Sequence, residues 1–254
     1  MAAGHKDHGD VAAPGAARAR RFPLAFAGGM LLLAAVFVLL GTWQVQRLFW
    51  KLDLIARVEA RIHADPVPPP PRPTWPDISA PSHEYLRVTA EGTFDNAREV
   101  LVQAVTERGA GFWVMTPFRQ ADGTTILVNR GFVPPDRRDP ASRSEGEVTG
   151  PSRVTGLLRM SEPGGAFLRS NDPAGDRWYS RDVSAIAAAT GLSGTAPYFI
   201  DADASPNPGG LPTGGLTIVR FRNSHLVYAL TWYAMAAMSV GALLALRRHA
   251  RRKD

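Results

Sequence analysis

The chain passes from a polar segment into an apolar one at Asn223-Ser-His-Leu-Val-Tyr-Ala-Leu-Thr-Trp-Tyr233, and no charged residue follows until Arg247. An apolar stretch of about 20 residues crosses a hydrocarbon core of about 30 Å, because a helix rises about 1.5 Å per residue. The sequence therefore predicts a transmembrane helix over residues 222–246, with His225 at its mouth.

Three side chains near the start of this helix point to two interpretations. Tyr228 and Trp232 follow His225 at the third and seventh positions, a spacing that places all three on one side of a helix. An imidazole at a bilayer boundary with two aromatic rings beside it is a candidate ligand for the metal of a flat, apolar cofactor. The alternative is an aromatic belt, since Tyr and Trp collect at membrane interfaces and His hydrogen-bonds headgroups there.

A second span is predicted over residues 22–44, where Leu24 to Trp43 carries no charge. Apolar residues at three- and four-residue spacing then predict that the helix extends over residues 45–65. We expect the two spans to pack closely through small residues, with Ala229, Ala237 and Gly241 meeting Gly28, Gly29 or Gly41.

The net charge of +6 resides in the two ends of the chain. Residues 1–21 are predicted to be a disordered tail, and residues 247–254 a basic one. Basic flanks predict that both termini are cytoplasmic and that the segment between the spans is periplasmic, in a multi-pass protein of the bacterial inner membrane. Clustered tail charge favours membrane lipids over nucleic acid as a partner. The absence of cysteine excludes disulfides and thiolate metal sites.

Residues 66–81 are proline-rich and predict a semi-rigid standoff linker, and residues 82–221 predict a β-rich domain. Short β-branched and aromatic runs are punctuated by glycine and aspartate, with a hairpin expected at Asp122-Gly123 and a last strand at Thr217–Phe221. Asp182–Thr190 predicts one short helix ending at Gly191. The predicted class is α+β: two transmembrane helices flanking an antiparallel barrel- or sandwich-like domain.

No hydrolase, zinc or phosphate-binding motif is present, so the sequence favours a protein that is not an enzyme. Asn129-Arg130-Gly131 at the end of a predicted strand is typical of a turn or bulge. The alternative is that Arg130 forms a salt bridge with a partner.

Several fragments, in order between the two spans, resemble the Surfeit-locus-1 family of cytochrome oxidase assembly factors. They are Gly41-x-Trp-Gln-x-x-Arg47, Gly111-Phe-Trp-Val-Met-Thr-Pro117, Val128-Asn-Arg-Gly-Phe-Val-Pro134, Asn171-Asp-Pro173 and Asn223 to Ala234. The resemblance implies an inner-membrane chaperone of respiratory-chain biogenesis, which helps to build subunit I of haem–copper oxidase. In bacterial members it also implies that haem a binds the histidine that matches His225.

On that basis the cofactor-binding residues are expected to be His225, which ligates the iron, with Tyr228 and Trp232 beside the macrocycle. Arg220, Arg222 and Arg47 are expected near the propionates, since guanidinium pairs well with carboxylate. The alternative for these arginines is headgroup anchoring. Subunit I is the expected partner, and haem A synthase a second one. A different hypothesis is a haem-free scaffold that holds these proteins through strand edges and the Arg130 turn.

Overall fold

The computed structural model describes residues 24–166, 168–219 and 221–252. The chain forms two compact units. One comprises the residues up to Leu52 together with those from Arg222 onward, and the other comprises Asp53–Phe221. The predicted tail at 1–21, Arg220 and the last two residues of the basic tail lie outside the described residues.

The described residues form four α-helices: α1 (Leu24–Ile62), α2 (Ala80–His83), α3 (Val183–Ala189) and α4 (His225–Arg251). The first unit contains α4 and the part of α1 up to Leu52. Within the described residues these two helices are long and apolar enough to cross a membrane, judged by length and composition. The helix α1 continues without a break from the predicted span into the predicted extension and ends at Ile62. Large apolar side chains project outward from both helices, among them Leu32, Leu39, Leu226 and Val227.

Small residues bring α1 and α4 together, although fewer of them do so than expected. Ala34, Ala229 and Ala236 are buried. A Cβ atom at Gly41 would lie 2.8 Å from the ring of Tyr233, so only glycine leaves room for that ring. Gly28, Gly29 and Gly241 have no neighbouring atom within 4 Å of such a Cβ, so the expectation that they meet at the contact was wrong.

The second unit is a small β-barrel. In the described part of the chain its strands are β1 (Arg87–Phe94), β2 (Val100–Thr106), β3 (Gly109–Arg119), β4 (Thr125–Val133), β5 (Pro151–Met160) and β6 (Thr195–Ala202). Their order is β1-β5-β6-β4-β3-β2, and β1 also pairs with β3. That last pairing closes β1, β5, β6, β4 and β3 into a ring, and β2 lies outside it on the edge of β3.

Both faces of the ring are covered, which gives the domain two apolar clusters. Phe118, Val128 and Ile200 belong to one cluster. Leu127 and Phe199, whose side chains alternate with them, belong to the other, together with Ile186 of the helix α3 (Val183–Ala189). Every residue of β4 is therefore buried, which explains why this strand lacks the polar–apolar alternation of a half-exposed strand.

Two local predictions were confirmed. A hairpin at Asp122-Gly123 joins β3 to β4, with Gly123 at a φ of +80° that favours glycine. The carboxylate of Asp182 caps α3 by accepting the backbone N–H of Ala185 at 3.1 Å, and Gly191 follows the helix at a φ of +65°.

Three other predictions were wrong. The sheet is not purely antiparallel, because β4 and β6 run parallel. Residues 217–219 and 221 form no strand, and the Thr217 hydroxyl instead donates to Asp201. The segment 66–81 is not a standoff linker: Val67 pairs with Val88, and the carbonyl of Pro70 accepts hydrogen bonds from Tyr198 and Trp75. Proline removes backbone donors but leaves these carbonyls available to bind the barrel.

Candidate functional site

His225 is the first residue of α4, where backbone N–H groups have no partner within the helix. Asn223 supplies one, since its side-chain oxygen accepts the N–H of His225 at 3.4 Å. The Tyr228 N–H donates to the carbonyl of Ser224 at 3.2 Å and closes the first turn. The sequence Asn-Ser-His thus starts the helix and places the imidazole on its first turn.

The imidazole of His225 contacts α1 through one of its two nitrogens. Its Nδ1 lies 2.7 Å from Oε1 of Gln44, and the pair is partly buried. Among the described residues no side chain or backbone group hydrogen-bonds the other ring nitrogen, Nε2. The histidine is therefore held at one edge and leaves a nitrogen lone pair available at the other when the proton resides on Nδ1.

Further contacts between α1 and α4 fix the surroundings of this pair. The hydroxyls of Thr42 and Tyr233 are 3.1 Å apart. The rings of Phe37 and Trp232 lie 5.7 Å apart, centroid to centroid, with their planes inclined by 32°. These polar and aromatic contacts restrict how α1 and α4 slide past each other, because each contact requires a particular register.

The sequence-predicted site residues are arranged unequally around His225. Trp232 shares the α1-facing side of α4 with it, and its ring lies beside that of Phe37. Tyr228 is 53% exposed. Arg222 is exposed three residues before His225, and Arg220 lies outside the described residues. The guanidinium of Arg47 lies 4.4 Å from the centre of the Trp50 ring.

The sequence reasoning missed two residues of α1 that contact the α4 site residues: Gln44, which lies at His225, and Phe37, whose ring lies beside that of Trp232. Gln44 carried a detectable signal. An amide at the end of an apolar helix seeks a hydrogen-bond partner, and in a two-span protein the other helix is the nearest source of one. Identifying the partner as His225 required the register of the two helices, which spacing within either helix does not give.

Arg130 is a structural residue inside the second unit. Its side chain is 2% exposed, and its guanidinium donates to Asn207 at 3.1 Å and to the carbonyl of Gly146, with its charge 4.6 Å from the Phe94 ring centre. Burial lowers the pKa of the Arg130 guanidinium. The alternative in which Arg130 forms a partner-facing salt bridge was wrong, because the side chain is enclosed by three loops of its own domain.

A second buried polar cluster is centred on Asp201, which is 3% exposed. Its carboxylate accepts hydrogen bonds from Arg181 at 2.9 Å, Arg159 at 3.0 Å and Asn129 at 2.8 Å. The Thr217 hydroxyl donates to it at 2.9 Å. Two guanidinium groups on one buried carboxylate cross-link β6 to β5 through Arg159 and to the segment before α3 through Arg181.

Other histidines of the described chain do not form a metal site. His63 pairs with Glu59 at 3.3 Å on an exposed turn of α1. Nδ1 of His83 lies 3.4 Å from the backbone nitrogen of Ser79. Within residues 24–166, 168–219 and 221–252, no group of three His, Asp or Glu side chains is placed to hold a metal ion.

Comparison with known proteins places these features in a family. The family model described as the SURF1 family matches residues 31–237, which is most of the chain. The chain belongs to the SURF1 family. Among similar relatives, Surfeit locus protein 1 of Rattus norvegicus is 40% identical over 226 residues, covering 82% of this chain and 71% of the relative. Surfeit locus protein 1 of Homo sapiens is 39% identical over 227 residues, covering 82% and 73%.

A SURF1-like protein of Monosiga brevicollis is 40% identical over 222 residues and covers 82% of each chain. The SURF1 match extends from α1 through the barrel into α4, so it includes Gln44, Arg47 and His225. The resemblance seen in the sequence fragments is thereby confirmed at the level of the family.

Proposed function

We propose that this SURF1-family chain is an assembly factor for haem–copper oxidase. It binds haem a at the mouth of α4 and supports the insertion of the haem into subunit I. Subunit I is its partner, with haem A synthase as a second one, and the protein itself is not an enzyme.

The observation that supports this proposal best is the state of His225. The structure has one imidazole on the first turn of an apolar helix, with Nδ1 at Gln44 and no described residue on Nε2. A metal site built from side chains alone would need more ligands than this. A single imidazole suffices when the metal brings its other ligands in a macrocycle, as haem iron does.

The surrounding residues fit a flat, apolar group that carries carboxylates at one edge. Exposed apolar side chains of α4, including Leu226 and the ring of Tyr228, offer contact area to a macrocycle. Arg222, three residues before His225, supplies one cation. Arg47, three residues after Gln44, supplies another. A bound haem a would supply an iron centre, and His225 would hold it through Nε2 while the neighbouring residues position the group.

The proposed setting is the bacterial inner membrane, with both termini cytoplasmic and the barrel periplasmic. Two candidate spans and basic residues beyond each of them support this topology. His225 would then lie at the periplasmic boundary of the bilayer, where an amphipathic cofactor can enter from the lipid phase.

The test is the absorption spectrum of the full chain, purified in detergent from cells that make haem A, beside His225→Ala. We expect a Soret band in the parent and its loss in the variant. His83→Ala is the matched control, because this imidazole lies in the barrel unit and should leave the band unchanged. Absence of the band from a folded, inserted parent would overturn the proposal.

The haem-free scaffold remains a second candidate because an apolar side chain is exposed at the end of the edge strand β2, beyond the point where Val102 pairs with Trp178. Val105, near the end of β2, is 87% exposed, and β2 lies outside the closed ring. The scaffold predicts that subunit I co-purifies with the chain even when His225 is alanine and no Soret band is present. The haem-binding function predicts that co-purification alone does not restore oxidase activity in that variant.

A further inference from the structure

The hydrogen bond between Gln44 and His225 assigns a role to a residue of α1. We infer that Gln44 is the positioning residue of the haem site: its side-chain oxygen accepts the Nδ1 proton of His225 and thereby directs Nε2 to the iron. This inference rests on the proposed haem-binding function.

The contact has the length and burial that a tautomer-selecting bond needs. The separation between Nδ1 and Oε1 is 2.7 Å, at the short end of the range for hydrogen bonds to nitrogen, and the pair is partly buried. An amide oxygen is an acceptor, so Nδ1 must carry the proton. A neutral imidazole has one ring proton, and Nε2 consequently keeps its lone pair.

Contacts on the same part of α1 hold the Gln44 amide beside His225. Gly41, one turn before Gln44, lets the Tyr233 ring approach α1, and Thr42 hydrogen-bonds the hydroxyl of that ring. These contacts restrict rotation and sliding of α1 against α4 at the level of Gln44. Ligating histidines in metalloproteins commonly donate their second N–H to such a partner, which orients the ring.

Because Gln44 is a neutral amide, it affects how strongly His225 can donate electrons to the iron. A carboxylate in this position would draw the Nδ1 proton more strongly and make Nε2 a better electron donor to the iron. An amide polarises the imidazole less and adds no negative charge near the bilayer. Gln44 therefore orients His225 as a ligand while the bond from His225 to the haem stays moderately strong. Moderate strength suits a haem that is bound and then transferred.

The experiment compares Gln44→Leu and Gln44→Glu with the parent in the detergent-purified full chain loaded with haem a. Gln46→Leu is the matched control, because Gln46 is an exposed glutamine two residues further along the same helix. The readouts are the rate of haem transfer to an excess of apomyoglobin and the midpoint potential of the bound iron.

We expect Gln44→Leu to release haem about 10-fold to 100-fold faster, the usual effect of losing such a partner. We expect Gln44→Glu to release it more slowly than the parent and to lower the midpoint potential, while Gln46→Leu matches the parent. Opposite effects of Leu and Glu would not arise from general loosening of the helix pair. Equal release rates and potentials in the parent and both Gln44 variants would overturn the inference.

The failure of the two proposals can be told apart. A parent without a Soret band overturns the haem-binding function. A parent whose band depends on His225 but not on Gln44 overturns the positioning role alone. In the haem-free chain, ¹⁵N spectra of the labelled imidazole report the tautomer directly. A proton on Nε2 in the parent would contradict the assignment of Gln44 as acceptor.

Discussion

The hydroxyl of Tyr233 hydrogen-bonds the hydroxyl of Thr42 at 3.1 Å, and this bond holds the tyrosine ring over Gly41. A ring that is fixed at its far end cannot swing aside to admit a larger residue without losing the bond. The Thr42–Tyr233 hydrogen bond therefore depends on Gly41 having no side chain. Gly41 and Thr42 both lie within one turn of Gln44 on α1.

Gly41→Val should consequently destabilise the α1–α4 pair. A Cβ at this position would lie 2.8 Å from the Tyr233 ring, and overpacking of this kind costs about 1–3 kcal/mol. Thermal unfolding of the full chain in detergent, followed by Trp fluorescence, measures the loss. Gly241→Val is the matched control, because nothing lies within 4 Å of its added Cβ and its melting temperature should stay near that of the parent. Equal losses at both glycines would contradict the packing argument.

Replacement of Arg222 by Gln should weaken haem retention without affecting membrane insertion. Arg222 lies three residues before His225, where a propionate of the bound haem would be neutralised by a guanidinium. Haem titration of the purified variant measures the affinity, and carbonate extraction of membranes measures insertion. The double replacement of Arg220 and Arg222 should have a larger effect.

Arg108→Gln, an exposed arginine at the end of the β2–β3 hairpin, is the matched charge control for these variants. If haem affinity is unchanged in the Arg222 variant, the arginine anchors lipid headgroups instead of propionates.

Arg130→Ala should destabilise the barrel strongly. The side chain is buried, and its loss leaves the carbonyl of Gly146 and the side chain of Asn207 without their donor. Hydrogen bonds to a charged group contribute about 1.5–3 kcal/mol, and the vacated space adds a cavity cost. Chemical denaturation of the full chain measures the change in unfolding free energy.

The matched control for that measurement is Arg153→Ala. Arg153 is paired with Glu91 at 2.6 Å, but both side chains are exposed, and such pairs contribute about 0–1 kcal/mol. A loss at Arg130 no greater than that at Arg153 would show that the buried guanidinium is not needed for stability.

The barrel should also lose stability in acid through Glu162. Burial raises the pKa of this carboxyl, but the hydrogen bond and charge of Arg181, aided by Arg159, outweigh it and hold the pKa below the ordinary value of 4.5. A carboxyl with a lowered folded-state pKa stabilises the fold above its unfolded-state value, and the contribution disappears as pH falls through the folded-state pKa.

We therefore expect the unfolding free energy of Glu162→Gln to fall less steeply than that of the parent as pH drops below about 4.5. Denaturation midpoints measured from pH 6 down to about pH 3 test this. Glu107→Gln, at an exposed hairpin position, should follow the parent curve. If the unfolding free energies of all three proteins fall in parallel with pH, Glu162 does not contribute to the loss of stability in acid.

The local elements were predictable because short-range chemistry dictates them. The hairpin at Gly123 and the cap of α3 at Asp182 follow from residues within a few positions of each other. The strand β4 was predicted only as far as Asn129, although it continues to Val133. Its last residues include Gly131, and glycine at that place in the sequence predicts a turn. The burial of the Arg130 guanidinium depends on loops distant in sequence.

The same division applies to the candidate site. His225 was proposed as a site residue from its place at the start of an apolar stretch, and Trp232 from its spacing. Gln44 was not, since its partner is 181 residues away. Tyr228 was grouped with His225 by spacing within α4, but the position of α1 decides which side of α4 is enclosed, and Tyr228 is 53% exposed.

The sequence alone determined the two long apolar helices, the β-rich segment between them and the SURF1 family, because composition, periodicity and ordered motifs are properties of the chain read in one dimension. The tertiary structure decided that β4 and β6 run parallel, that the proline-rich segment packs on the barrel, that Arg130 is enclosed and that Gln44 meets His225. Each of these depends on which distant segments come into contact, and the burial of polar groups selects the arrangement in which they find partners.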